Sequence, residues 1–166
     1  MPMSEYVRIL RSAMGHQRLL LPSVSALVYD NFGHLLLVRQ RDGDAWSTPG
    51  GAIEFDETPA DAVVREIWEE TGLLVSAARI FGVYGGPNFV VHYENGDEAQ
   101  YVMVVFECAI QGGVLRSDGV ETTDVRFWGA DESPNLAPWL RTMFPIFPGR
   151  MAGALFEPPT WSPQHP

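Results

Sequence analysis

The stretch from Thr58 to Gly72 constrains this chain more than any other, because both ends of a helix are written into it. Thr58 suits an N-cap, and Pro59 suits the first helical position, where its missing N–H costs nothing. Asp61 places negative charge in the first turn, which the helix dipole favours. Gly72 supplies the stop, so the pattern predicts a helix from about Pro59 to Thr71. At roughly 100° per residue, Ala60, Val63, Val64, Ile67 and Thr71 share one face, the face expected to be buried. Glu66, Glu69 and Glu70 stand at i, i+3 and i+4 and gather on a neighbouring stripe, with Arg65 one turn before Glu69.

Three carboxylates on one stripe repel one another unless positive charge lies between them. A solvated acidic face explains most such helices. It is insufficient here, because Glu54 to Glu70 holds seven acidic residues against one basic residue. Hard oxygen ligands of this kind suit Mg²⁺ or Mn²⁺, which bridge to substrate phosphates. The preceding Pro49-Gly50-Gly51 lets a backbone carbonyl approach the same ion, since glycine has no side chain in the way. The expectation is a divalent-metal site. The chain carries 11 basic and 21 acidic residues, a net charge of −10, so its surface is not built for bulk nucleic-acid binding. Glutamates would repel a polyphosphate unless cations neutralise both. Bound ions would also polarise the phosphoryl oxygen and acidify an attacking water. Hydrolysis of a diphosphate linkage is the reaction this implies.

Gly51, Glu57, Arg65-Glu66-Ile67, Glu69-Glu70 and Gly72-Leu73 follow one spacing: Gly, five residues, Glu, seven residues, Arg-Glu-apolar-x-Glu-Glu-x-Gly-apolar. This resembles the Nudix box at every fixed position. The resemblance implies an α/β protein, a Nudix-like α/β/α sandwich with a mixed β-sheet in a single domain. It implies a pyrophosphohydrolase acting on a nucleoside diphosphate linked to another moiety, ADP-ribose-like or a nucleotide sugar, through metal-activated water. On the same resemblance Gly50 (by its carbonyl), Glu66, Glu69 and Glu70 are candidate ligands of Mg²⁺ or Mn²⁺. Arg65, Glu66 and Glu69 are the candidate catalytic residues. Family members usually add a carboxylate from a later loop; Asp118-Gly-Val-Glu121 matches best, which selects Glu121 over Asp97 and Glu98. The general base stays open among Glu66, Glu69, Glu121 and a metal-bound hydroxide. Glu57 is expected to act in the loop's structure, and Asp56 stands where the family often has glycine. One alternative is a non-catalytic nucleotide or ADP-ribose sensor. Another is a hydrolase of oxidised nucleoside triphosphates. Intact Arg65, Glu66, Glu69 and Glu70 favour an enzyme over the sensor.

Composition excludes several rivals. All 11 basic residues are Arg, so a lysine phosphate loop and Schiff-base or general-base lysines are impossible. Cys108 is the only cysteine, which removes disulfide frameworks and thiolate zinc sites within the chain. It sits in an apolar run that suits a buried structural thiol and ill suits the acid–base cysteine of an isoprenoid diphosphate isomerase. The four histidines are scattered without a metal-binding pair.

A chain of 166 residues, 46% of them apolar, fits one core. Three segments are expected: an N-terminal helix and lead-in (1–22), the catalytic domain (23–144) and a Pro-rich tail (145–166). Ser4–Met14 reads as an amphipathic helix capped by Ser4 and ended by Gly15. Ser23–Tyr29 and Leu35–Gln40 read as a hairpin around Asp30-Asn-Phe-Gly33. Further strands are expected at Leu73–Val75, Ala78–Tyr84, Asn88–Tyr93, Gln100–Ile110 and Thr123–Trp128, and a second main helix at Leu136–Phe144. A turn is expected at Glu94–Asp97. Six prolines follow Phe144, together with Phe147, Phe156 and Trp161, so the tail is expected as an extended strap on its own domain or a partner subunit. The N-terminal helix is a second candidate element of a homodimer. No apolar run reaches membrane-span length and no signal-peptide core is evident, giving the expectation of a cytoplasmic protein with no membrane contact. Its partner is expected to be a small nucleotide. Near the cleft, Trp46 or Tyr84 could stack on a base and Arg39 could reach a phosphate.

Overall fold

The computed structural model describes residues 5–41, 43–93, 95–143 and 153–155. In chain order its elements are α1 (Glu5–Met14), β1 (Leu19–Val28), β2 (Leu35–Gln40), β3 (Trp46–Ser47), α2 (Pro59–Thr71) and β4 (Leu73–Tyr84). A 3₁₀ turn (Pro87–Phe89) leads to β5 (Val90–His92), β6 (Glu98–Gly113), β7 (Thr122–Trp128) and α3 (Pro138–Thr142). One sheet has the order β1-β6-β4, with β5 also on β6; the other has the order β3-β2-β7. β1 runs parallel to β6 through ten paired positions, Leu19 with Ala99 to Val28 with Cys108, while β4 and β5 lie antiparallel to β6. The sheet is therefore mixed, as expected.

Both sides of the strands are covered. Val24, Ala26 and Val28 of β1 pack with Ala62, Val63 and Ile67 of α2, joined by Leu36, Phe106 and Cys108. Leu27 points the other way and packs with Leu35, Leu37, Phe81, Met103 and Leu140, the last from α3. This alternation follows from the period-two geometry of a strand, and it yields the α/β/α layering. A third cluster seats α1, through Tyr6, Val7 and Leu10, on Leu19, Leu21 and Ala99.

α2 begins and ends where its sequence places it. Thr58 Oγ1 accepts from the Asp61 N–H at 3.2 Å, the Asp61 carboxylate accepts from the Thr58 N–H at 3.3 Å, and Pro59 opens the helix. Gly72 closes it at φ 68°, with its N–H donating to the Trp68 carbonyl. A side chain there would meet the Val114 carbonyl at 2.6 Å.

Several expectations change. β1 and β2 do not form a hairpin. The Asp30–Gly33 turn is present, with Asp30 Oδ1 accepting from the Phe32 and His34 N–H groups, but beyond the Tyr29–Leu35 bridge the strands part into different sheets. The long pairing of β1 with β6 takes it away. Leu73–Tyr84 is one continuous strand, because bulges against β6 absorb the expected break. α3 has only five residues. Leu136 instead bridges to Trp46, and Ala137 N–H donates to the Trp46 carbonyl, so backbone pairing holds that segment extended up to Pro138. Ser4 and Phe144 lie outside the described residues, as do Phe147, Phe156 and Trp161 of the tail. Leu155 is described and lies along β4, donating to the Phe81 carbonyl at 2.8 Å and accepting from Val83 at 3.0 Å. No helix among the described residues is long and apolar enough to cross a membrane.

Replacing the cap tests the start of α2. Thr58→Ala is expected to cost about 1 kcal/mol, a fall of roughly 2–4 °C in the calorimetric melting temperature for a chain of this size. Thr58→Ser should keep most of it.

Candidate active site

The site is built where the Pro49–Gly51 turn crosses β1 and faces α2. Val24 N–H donates to the Gly51 carbonyl at 2.9 Å and Ala26 N–H to the Pro49 carbonyl at 3.0 Å. Buried Ser25 adds a contact of 2.6 Å to the Thr48 hydroxyl. Gly50 sits between at φ 152°, and a Cβ there would lie 2.3 Å from the Val24 carbonyl oxygen. Only glycine lets the turn lie this close to the strand. The Gly50 N–H donates to Glu70 Oε2 at 2.9 Å, and the Gln40 amide donates to Oε1 at 3.0 Å.

α2 is turned differently from the simple apolar stripe. Its buried residues are Ala62, Val63, Glu66, Ile67, Glu70 and Thr71. Ala60 is exposed and Val64 half-buried. Glu66 and Glu70 therefore point inward, at 4% and 1% exposure, while Glu69 stays at the surface. Hydrogen-bond donors waiting inside explain the rotation: an apolar wall would have left these carboxylates unsatisfied.

Arg65 ties the glutamates to the loop before the helix. Its Nε and Nη2 grip Glu57 as a fork, at 2.6 and 3.0 Å, and Nη2 also reaches the Ala52 carbonyl at 3.1 Å. Nη1 donates to Glu66 at 2.9 Å and to Glu69 at 3.1 Å. Glu57 in turn accepts from the Glu54 N–H at 3.1 Å, closing the loop, and the Arg65 hydrogen bond holds its carboxyl below the usual range. Asp56 adopts φ 64° in this loop, the left-handed conformation glycine takes without cost.

Electrostatics concentrate on the inward carboxylates. Burial raises Glu66 to about 7 against the pull of Arg65, with Glu69 and Glu121 adding repulsion. Burial raises Glu70 to about 8, opposed by the Gln40 and Gly50 hydrogen bonds and reinforced by the charges of Glu66 and Glu121. Burial also raises the half-buried Glu121, with Asp118 and Glu69 contributing. The structure thus brings Gly50, Arg65, Glu66, Glu69, Glu70 and Glu121 into one electrostatic neighbourhood. Asp97 and Glu98 are engaged elsewhere: Asp97 with Arg11 of α1 and with His16, Glu98 with Arg18 and with His92 of β5.

The substrate-contact candidates fare differently. Trp46 and Tyr84 are 8% and 9% exposed and belong to the core, Trp46 edge-on to Trp128 at 5.0 Å and Tyr84 beside Phe89 at 6.0 Å. Their faces are taken by packing, which corrects the expectation of open stacking platforms. Arg39 stays partly exposed beside Asp124 at 3.8 Å, with its guanidinium 5.8 Å from the Trp46 ring. Gln40, Arg41 and Asp118 were not singled out from sequence. Gln40 ends an apolar strand run, and only the fold shows that its amide meets Glu70. Cys108 is buried, and burial pushes its thiol up to about 12, in keeping with a structural role.

Residues 19–147 match the NUDIX domain. A MutT-like protein of Streptomyces ambofaciens is 38% identical over 110 residues, covering 66% of this chain and 64% of its own length. A solved UDP-X diphosphatase is 27% identical with a TM-score of 0.62, over 82% of this chain and 64% of that one. An ADP-ribose pyrophosphatase of Streptococcus suis is 28% identical with a TM-score of 0.60, over 72% of this chain and 81% of its own. The chain spans about half to two thirds of the length of the curated relatives it matches.

Among the described residues, no three His, Cys, Asp or Glu side chains already converge as a metal cage. Glu66 and Glu69 turn to Arg65, and Glu70 to Gly50 and Gln40. The donor chemistry still fits a hard divalent cation: four neighbouring carboxylates, two of them buried, whose charges oppose one another's ionisation.

Two tests follow from this charge and its cradle. Glu66 and Glu70 hold protons more tightly folded than unfolded. Their contribution to stability is therefore full below their ordinary range near 4.5 and is lost as pH rises through about 7 and 8. Metal-free protein should melt at progressively lower temperature between about pH 5 and about pH 8, and Mg²⁺ or Mn²⁺ should remove most of that fall. A melting temperature that climbs over this range without metal would contradict the burial described. Separately, Gly50→Ala should destabilise by about 2 kcal/mol or more in urea unfolding, because its Cβ meets backbone.

Proposed function

The chain belongs to the Nudix family, and on that premise we propose a divalent-metal-dependent hydrolase of a diphosphate bond in a nucleoside diphosphate joined to another group. One observation carries the reading: two glutamates on one helix, Glu66 and Glu70, are buried in a neighbourhood where further negative charge, Glu121 included, disfavours their ionisation. Such an arrangement is costly unless a cation joins it. Glu66, Glu69, Glu70, Glu121 and the Gly50 carbonyl are the groups that would hold Mg²⁺ or Mn²⁺. When bound, the ion would offset this charge, polarise phosphoryl oxygens and acidify a water.

The chain's own groups divide the remaining tasks. Arg65 orients Glu66 and Glu69 while anchoring them to the Glu57 loop. Gly50 and Gln40 fix both oxygens of Glu70. Arg39, partly exposed at the end of β2, is the candidate cation for a substrate phosphate. Support for the substrate class comes from the two solved relatives, one named for UDP-X and one for ADP-ribose, each a nucleoside diphosphate carrying a further group.

Mass-spectrometric product analysis with Mg²⁺ or Mn²⁺ tests this against ADP-ribose, nucleotide sugars, dinucleoside polyphosphates, nucleoside triphosphates and isopentenyl diphosphate. Cleavage inside the diphosphate of ADP-ribose or a nucleotide sugar is expected. Exclusive turnover of nucleoside triphosphates would replace the substrate class, and metal-dependent binding without turnover would replace the enzyme by a sensor. Glu70→Gln should lower kcat by at least about 10-fold with little change in melting temperature, since the Gln40 amide can flip to pair with the new amide. Near-normal kcat in that variant would remove Glu70 from the site.

A further inference from the structure

Glu121 stands on a segment that is built with unusual economy. The Asp118 carboxylate Oδ1 accepts from the N–H groups of Val120 (3.1 Å), Glu121 (3.1 Å) and Thr122 (2.8 Å) and from the Thr122 hydroxyl (2.9 Å). Its Oδ2 accepts from Glu121 N–H as well, at 3.1 Å. From outside, Arg41 holds the same turn: its Nε donates to the Val120 carbonyl at 2.7 Å, a second guanidinium nitrogen to the Gly119 carbonyl, and its backbone N–H to the Glu121 carbonyl at 2.8 Å. Four donors on one carboxylate and three on the turn's carbonyls leave little freedom to the residue between them.

The turn is also keyed to the glutamate helix. Thr122 is fully buried, and its hydroxyl lies 3.2 Å from the Glu70 carbonyl. A register shift between β2 and β7 sets Gln40 opposite Thr122 rather than Thr123, and the Gln40 amide is the donor to the Glu70 side chain. Bulges re-aim side chains in this way. Glu70 thus has the Thr122 hydroxyl, whose one proton lies between Asp118 and the Glu70 carbonyl, beside its backbone and Gln40 at its carboxylate, two residues facing each other across one irregularity.

We propose that Asp118 and Arg41 are positioning residues of the hydrolytic site, locking the 118–122 turn so that Glu121 is presented to the carboxylates of α2 as part of the metal-holding set. The proposal rests on the metal-dependent reading above. The charge of Glu121 is felt at both Glu66 and Glu70, which agrees with that placement. Asp118→Asn keeps Oδ1 and with it most of the turn, whereas Asp118→Ala removes every acceptor. Arg41→Met loosens the turn from outside and leaves Asp118 intact.

The test is Mn²⁺ binding to the full chain, followed by electron paramagnetic resonance without substrate, on the wild type, Glu121→Gln, Asp118→Ala, Asp118→Asn, Arg41→Met and the Asp118→Ala/Glu121→Gln double variant. Glu121→Gln and Asp118→Ala are each expected to weaken Mn²⁺ binding about 10-fold or more. The double variant should be no weaker than the worse single, because both remove the same ligand. Asp118→Asn should bind within about threefold of wild type, and Arg41→Met should fall between. On a cleaved substrate Glu121→Gln, Asp118→Ala and Arg41→Met should lose kcat with KM nearly constant. Multiplicative losses in the double variant, or wild-type Mn²⁺ affinity in a folded Asp118→Ala or Arg41→Met protein, would overturn the positioning role. Should Asp118→Ala fail to fold, Arg41→Met still decides it. Absence of Mn²⁺ binding by the wild type itself would refute the metal-dependent reading, and this inference with it.

Discussion

Burying a carboxylate is expensive unless donors reach both of its oxygens, and the way Glu70 is satisfied governs the layout around it. One oxygen takes the Gly50 N–H and the other the Gln40 amide. For the first bond the turn must lie flat on β1, which requires glycine. For the second, β2 must end beside the last turn of α2. Glu66 makes a parallel demand and meets it through Arg65, which cannot serve it without also gripping Glu57 and the Ala52 carbonyl. Loop, strand end and helix are thus held by the same few polar contacts that hold the charge.

Much of this was legible beforehand because helix ends and glycine turns are local. Thr58, Pro59 and Gly72 fix α2 to the residue, and the Glu66-x-x-Glu69-Glu70 spacing puts the carboxylates on adjacent stripes whatever else the chain does. What stayed illegible depends on partners distant in sequence. Hydrophobic spacing could not show that α2 turns Glu66 and Glu70 inward and leaves Ala60 outside, since the donors that satisfy Glu70 come from Gln40 and Gly50. Gln40 looks like the end of any strand until the fold brings it to Glu70.

The errors share a cause as well. A turn signal says that the chain reverses, not that the flanking strands pair; β1 and β2 reverse around Asp30 and then join separate sheets. Trp46 and Tyr84 were plausible at a cleft edge because aromatic residues near turns are equally suited to stacking and to packing. Their burial against Trp128 and Phe89 decides for packing. The expected helix after Leu136 yields to backbone pairing with Trp46, an edge contact between segments far apart in the chain.

The parallel pairing of β1 with β6 has a kinetic meaning. Leu19 meets Ala99, 80 positions later, so the central ladder closes a loop that contains the Gly50 turn and the whole glutamate helix. Long-range parallel pairing forms slowly, because chain entropy is lost before contacts compensate for it. During synthesis, the segment bearing the acidic helix emerges well before the strand that completes its sheet. Until β6 arrives, β1 lacks its ladder partner and α2 lacks the part of its wall that Phe106 and Cys108 supply. Glu121 and Thr122, which flank the glutamate helix, follow later still, so the charged centre and the finished fold are completed together.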